Sequence, residues 1–398
     1  MKKVKLKDIA NIYNGNSINA RVKAEKYCFN VPAWNYIGTK DIDFDGTVNY
    51  DTGVKIPFEE KGFKIAPANC VFVCSEGGSA GKKTAHITQE VCFGNKLYAI
   101  VNNKNLFVSK YVYYYTRYRE FFEQFKALMS GIIGGVSSKK FGEIEIPLLS
   151  LQKQQRIVEK IEELFSKLDK GVEELNKIKE QLKIYRQAVL KEAFKQYANH
   201  NIKFISDVCS VRVGIVIKPS QYYTTFEIGI KAFRSLNVKE FSINNKDWVY
   251  INEKGQKENE RSVVRNGDVL VVRSGYPGTS CVVNEKYDGC NAIDILIAKP
   301  NKDIILSEYL CAYTNSPYGK KLVAEKKRGV AQAHLNVNGY SKLQIPVPSL
   351  KRQKEVVDRI DKKLSIIAQI EQTINETLQK AESLRQSILK QAFEGKLV

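Results

Sequence analysis

The sequence predicts an α+β chain: two similar mixed α/β domains separated by two long helices, which pair antiparallel as a coiled coil about a pseudo-twofold axis. Three observations carry this prediction: an internal duplication, a long apolar seam repeated in each copy, and short β-rich runs inside each copy.

The duplication comes first because a repeat constrains the whole architecture. The segment IPLLSLQKQQRIVEKI from Ile146 matches IPVPSLKRQKEVVDRI from Ile345, and RQAVLKEAF from Arg186 matches RQSILKQAF from Arg385, both at a shift of 199 residues. The same shift sets Asp8, Ile9 and Gly15 against Asp207, Val208 and Gly214. An apolar run followed by a glycine-rich loop occurs as VFVCSEGGSAGKK from Val71 and again as VLVVRSGYPGTS from Val269. The predicted domains are 1–149 and 199–348, followed by helices over 150–198 and 349–398.

Each helical segment has apolar residues at steps of three or four, the period of a buried helical stripe. In the first the seam is Ile157, Ile161, Leu164, Leu168, Leu175, Ile178 and Leu182; in the second it is Val356, Ile360, Leu364, Ile367 and Ile374. At 1.5 Å per residue, roughly 45 helical residues span nearly 70 Å, so each helix needs a partner along its length, and its own copy is the nearest. Gly171 falls mid-helix, either as a bend or as a tolerated weakness.

Within each domain the runs between Gly, Asn and Pro are short and β-rich, and a tyrosine-rich helical stretch follows them, 110–129 in the first copy and 307–327 in the second.

Composition narrows the function. The chain carries 63 Lys and Arg against 43 Asp and Glu, a net charge of +20. That excess points to a polyanionic partner, with double-stranded DNA first. The surplus is +7 in each of the stretches 1–149 and 198–348, as expected if each domain meets its own length of phosphate backbone. No run of eighteen apolar residues and no secretory leader is visible, so no membrane partner and a cytoplasmic location are expected. The eight cysteines form no C-x-x-C pair, and several sit in apolar runs such as CVFVC at 70–74, so buried free thiols and no metal site are expected.

Catalytic motifs fail on inspection. EGGSAGKKT at 76–84 puts Glu76 where a phosphate loop needs its first glycine and Lys83 where it needs a hydroxyl. NSPY at 315–318 departs from the Asn-Pro-Pro-Tyr loop of amino-methyltransferases and reads better as a turn between helices. Glu59 and Lys61, with Asp45 or Asp51 upstream, have no counterpart in the second copy and read as solvated charges rather than a nuclease site. No resident catalytic group and no cofactor of its own are expected.

What remains is a set of DNA-binding candidates on glycine-flexible loops. Ser79, Lys82 and Lys83 lie on the first, and Arg273, Ser274 and Tyr276 on its counterpart. A second loop precedes each long helix. Lys139 and Lys140 there suit phosphates, whereas Gln332, His334 and Asn336 in the other copy offer groups suited to base edges.

Through IEIPLLSLQKQQRIV, LQIPVPSLKRQKEVV and the ending RQSILKQAFEGKLV, the chain resembles the specificity subunit of type I restriction-modification enzymes, over essentially its whole length. The resemblance implies two target-recognition domains, each reading half of a bipartite site, with the paired helices as a ruler. It also implies docking of two methyltransferase subunits, and through the complex of restriction and translocase subunits. S-adenosylmethionine and ATP with magnesium would reside on those partners. A basic coiled-coil adaptor that binds DNA without sequence readout is the alternative that the residues leave open.

Overall fold

The computed structural model describes residues 2–28, 32–131, 134–197, 201–325 and 334–398. The chain divides into two compact units, Met1–Leu175 with Glu376–Val398, and Asn176–Asn375. Each contains one mixed α/β domain together with a stretch of both long helices.

In the first unit, strand Lys3–Lys5 pairs antiparallel with Glu145–Pro147, closing the domain just ahead of its long helix. A four-stranded sheet follows in the order Asn11–Asn14, Leu97–Val101, Cys70–Cys74, Thr84–Ile87. A second has the order Lys55–Pro57, Ala33–Ile37, Val91–Phe93, Ile65–Ala66. The run CVFVC is apolar throughout because its strand is covered on both faces. Val71 and Val73 enter the cluster that contains the helices, whereas Cys70, Phe72 and Cys74 enter the one beneath the second sheet.

The second unit repeats this plan. Ile202–Phe204 pairs with Gln344–Pro346, and the sheet order Cys209–Val213, Ile295–Pro300, Val269–Val272, Ser280–Val282 reproduces that of the first. Equivalent registers recur: Val73 faces Tyr98 in one copy and Val271 faces Leu296 in the other. Val269 and Val271 again point to one cluster and Leu270 and Val272 to the other. A short hairpin in the second unit, Val238–Lys239 with Ser242–Ile243, stands where the first unit has the single antiparallel bridge Ile42–Val48.

The long helices are Leu151–Lys195 and Leu350–Phe393. The first runs unbroken through Gly171, where a side chain would meet nothing within 4 Å, so packing does not require the glycine there. In the first unit Ile157, Ile161 and Leu164 share a core with Ile388, Leu389, Ala392 and Phe393 of the other helix, which fixes an antiparallel pairing. The second unit does the same with Val356, Ile360 and Leu364 against Leu190, Ala193 and Phe194. Of the remaining seam positions, Leu182, Ile367 and Ile374 are buried, Leu168 and Leu175 are half-buried, and Ile178 is 40% exposed.

Both repeated motifs acquire a physical meaning. Gln154, fully buried near the start of the first long helix, accepts from Val108 N at 2.8 Å and donates to Leu106 O and Leu149 O. Gln353 does the same with Leu306 N, Ile304 O and Pro348 O. Each glutamine satisfies the unpaired backbone at the entry to its domain's tyrosine-rich helix, Ser109–Thr116 or Ser307–Asn315. The phenylalanine ending each long helix inserts beside those tyrosines: Phe393 lies 5.1 Å from both Tyr111 and Tyr115, and Phe194 lies 5.3 Å from Tyr309. Burying such a ring contributes about 2–3 kcal/mol. The arginine of the RQ pair forms a bridge between the helices, Arg186 to Glu371 at 3.0 Å and Arg385 to Asp169.

Candidate nucleic-acid interface

In each domain the hairpin joining the third and fourth strands of the first sheet carries the glycine-rich loop. Gly77 and Gly81 have φ of 82° and 68°, and a Cβ on Gly81 would lie 2.6 Å from the Phe125 ring, so both backbone form and space demand glycine there. The loop leads into strand Thr84–Ile87 rather than a helix, which removes the helix N-terminus that a phosphate loop exploits.

This loop meets the second candidate segment, more than fifty residues away. Gly77 N donates to Gly134 O at 2.9 Å and Val136 N to Ser75 O at 3.1 Å. In the second domain Leu335 N donates to Arg273 O at 3.1 Å, the equivalent bond. In each copy the hairpin thus meets the described part of the second loop, residues 134–136 in the first domain and 334–335 in the second.

The individual side chains differ in availability. Lys82 is exposed, its ammonium 3.3 Å from Gly78 O, while Ser79 is half-buried and its carbonyl accepts from Lys82 N and Lys83 N. Lys83 turns inward, donating to Thr39 O at 3.1 Å and lying over the Phe44 ring. Lys139 and Lys140 are exposed on the short helix Ser138–Phe141.

In the second domain Tyr276 is 84% exposed at the hairpin tip. Ser274 Oγ and His334 Nδ1 share a hydrogen bond at 2.5 Å, linking the two loops. Arg273 is already engaged, by Asp294 at 2.5 Å and Leu335 O at 3.1 Å. Asn336 caps the helix Val337–Ser341, its Oδ1 accepting from Gly339 N at 2.7 Å. Gln332 lies outside the described residues.

Other sequence candidates are structural. Asn315 of NSPY exchanges hydrogen bonds with both the N–H and the carbonyl of Ser280, at 3.0 and 2.9 Å, and helices Ser307–Asn315 and Pro317–Glu325 meet at the intervening turn. Seven cysteines are buried and Cys28 is exposed; burial pushes the Cys70 thiol up to about 12, far from a reactive thiolate. Among the described residues no helix is long and apolar enough to cross a membrane.

Sequence reasoning missed Lys96 and Asp294, which pair with loop residues Glu76 and Arg273. They are separated from the loops by the fourth strand, and only the strand register brings them near.

The family model described as the type I restriction modification DNA specificity domain matches residues 1–183 and again 198–380. The chain is 26% identical to the EcoKI specificity subunit of Escherichia coli (strain K12) over 84% of this chain and 76% of that one. It is 28% identical to the StySPI specificity subunit of Salmonella potsdam over the same shares. Against the EcoBI specificity subunit of Escherichia coli, at 25% identity, the match covers 66% of this chain and spans only 60% of that protein. Among solved structures, a chain from a type I system studied for complex assembly and conformational transition superposes with a TM-score of 0.77 at 18% identity, covering 99% of this chain and 98% of that one. The HsdS subunit from Thermoanaerobacter tengcongensis superposes at 0.55 and 17% identity, over 99% and 97% of the two chains. With two copies of the family's domain, each ending in a long helix that packs against the other's, the chain belongs to the type I restriction-modification specificity subunits, the non-catalytic members of those systems.

Proposed function

We propose that this chain reads a bipartite site on double-stranded DNA, one half-site per recognition domain, and presents that site to two methyltransferase subunits and, through them, to restriction and translocase subunits. The observation that carries the reading is that in both domains a glycine-rich hairpin is hydrogen-bonded to described residues of a second loop, Gly134 and Val136 in one and Leu335 in the other, on domains that each hold a surplus of seven positive charges. Ser79, Lys82, Ser274, Tyr276 and His334 are then the groups aimed at DNA, with Gln332 beside them in sequence, and Lys139 and Lys140 serve phosphates. Lys83 and Asn336 hold their loops in shape. The functional division runs 1–149 and 199–348 for recognition, and 150–198 and 349–398 for spacing and docking. S-adenosylmethionine and ATP with magnesium belong to the partners, in the cytoplasm beside the genome.

Methylation mapping tests this. Cells expressing the chain with its methyltransferase should carry adenine methylation at one asymmetric bipartite sequence, lost when the chain is deleted. A footprint of the complex should protect that sequence alone. Uniform, salt-sensitive protection of any duplex would instead identify a non-reading adaptor, and activity of the lone chain would overturn the assignment of chemistry to the partners.

A further inference from the structure

Asp294 sits in the turn that enters strand Ile295–Pro300, with φ of 49°. Residues with a Cβ reach this left-handed region at a cost that aspartate and asparagine bear better than most. The turn is held by Asp294 N, which donates to Ile215 O at 3.0 Å. From there the carboxylate meets Arg273 Nη1 at 2.5 Å, and the same guanidinium donates through Nε to Leu335 O at 3.1 Å. Arg273 is 15% exposed although it lies on a surface hairpin. One side chain therefore ties the hairpin both to this turn and to the segment carrying His334.

The first domain has an ion pair in the same neighbourhood with the signs exchanged, its acid standing one position further along the hairpin than the arginine. Cys74 opposite Leu97 and Val272 opposite Ile295 are equivalent register positions, so Lys96 and Asp294 each stand one residue before the same strand. Lys96 pairs with Glu76 of its hairpin at 3.0 Å. Both of those groups are well exposed and water screens them; Asp294 at 47% is equally open, and what sets the second domain apart is that Arg273 is largely enclosed and has a second acceptor.

We infer that Asp294 is a positioning residue of the second recognition domain, acting through Arg273 to hold the hairpin 273–279 against the segment 334–336 so that Ser274, Tyr276 and His334 meet DNA as one surface. The inference rests on the reading of these loops as the DNA-contacting surface. It makes Arg273 a brace within the protein and not a contact to DNA. The competing assignment, in which Arg273 leaves Asp294 to grip a phosphate or a guanine, predicts effects of opposite sign.

The test uses the full-length chain in complex with its methyltransferase and a duplex carrying the bipartite sequence methylated in the expressing cells. Asp294→Asn preserves size and tolerance of the left-handed backbone while removing the charge. It should weaken binding by roughly two- to fivefold. The slope of log affinity against log salt should stay unchanged, because no phosphate contact is lost. Mismatch penalties should shrink in one half-site only, a selectivity that general destabilisation of the chain would not produce. Equal or tighter binding by Asp294→Asn overturns the inference, since removing the carboxylate would then have freed a DNA-gripping arginine. A fall of about one in the salt slope on Arg273→Ala overturns it as well. Tyr276→Ala separates this inference from the reading beneath it. Loss of binding there, with Asp294→Asn unaffected, leaves the loops as the reading surface without this brace, and no effect from either variant removes both.

Discussion

A glutamine with no exposed surface is an expensive residue to place at the start of a helix unless its amide is fully used, and both copies use it fully. Replacing Gln154 by Leu strands Val108 N–H and two carbonyls, at roughly 1–3 kcal/mol for each buried group left unpaired. We expect Gln154→Leu to lower stability by about 3 kcal/mol and Gln353→Leu to match it, read as a drop in melting temperature. An unchanged melting curve for either would mean that the domain entry is held by something else. His86, on the strand that follows the first hairpin, supplies a pH test. Burial, and to a lesser degree Lys110, holds its imidazole below the ordinary 6.5. The unfolded chain then binds the proton more readily, so the folded state loses stability as pH falls below 6.5. His86→Gln should lose less stability than the parent between pH 8 and pH 5, and an identical loss would show that the histidine does not contribute.

The long helices differ from ordinary globular helices in having two separate packing environments along one element. Leu151–Lys195 enters the first core through Ile157 and Ile161 and the second through Leu190 and Phe194. If the pair sets the distance between half-sites, lengthening both helices in register should lengthen the unread spacer. A heptad inserted after Leu175 and another after Ile374 preserves the apolar phase and adds about 10 Å. The spacer should grow by about three base pairs at 3.4 Å each, with both half-sites retained. Some loss of activity is expected, since three base pairs also turn the second half-site by about a third of a helical turn. Methylation mapping that finds both half-sites at the original spacing would remove the helices from the role of ruler.

At the scale of the molecule, the repeat makes the two halves interchangeable parts. The slot in the first unit filled by Ile388, Leu389, Ala392 and Phe393 would stand open in a chain ending at residue 198. The same chain carries Val189, Leu190, Ala193 and Phe194, the residues one repeat earlier, and these would lie uncovered. Two copies can fill each other's slots with a twofold arrangement, because an apolar seam of this size does not stay in water. Residues 1–198 should therefore dimerise and, with the methyltransferase, modify a palindromic version of one half-site. A monomer by sedimentation, or retention of the asymmetric site, would contradict this.

The sequence by itself determined the duplicated plan, the α+β class, the two helices and the two loops per domain, because periodicity and self-similarity are local properties that a chain displays whatever its partners. That the loop 76–84 is glycine-flexible was legible for the same reason, whereas which of its glycines adopt a positive φ, Gly77 and Gly81 but not Gly78, was not. Which loop side chains are available was decided by tertiary structure alone. Arg273 and Tyr276 look equally suited to DNA in sequence, yet one is enclosed by Asp294 and Leu335 O and the other is open to solvent. Gln154 and Gln353 likewise became intelligible only when helix packing brought their amides to backbone groups more than forty residues away. Long-range pairing is set by strand register and by burial, and neither is visible in the spacing of residues along a single segment.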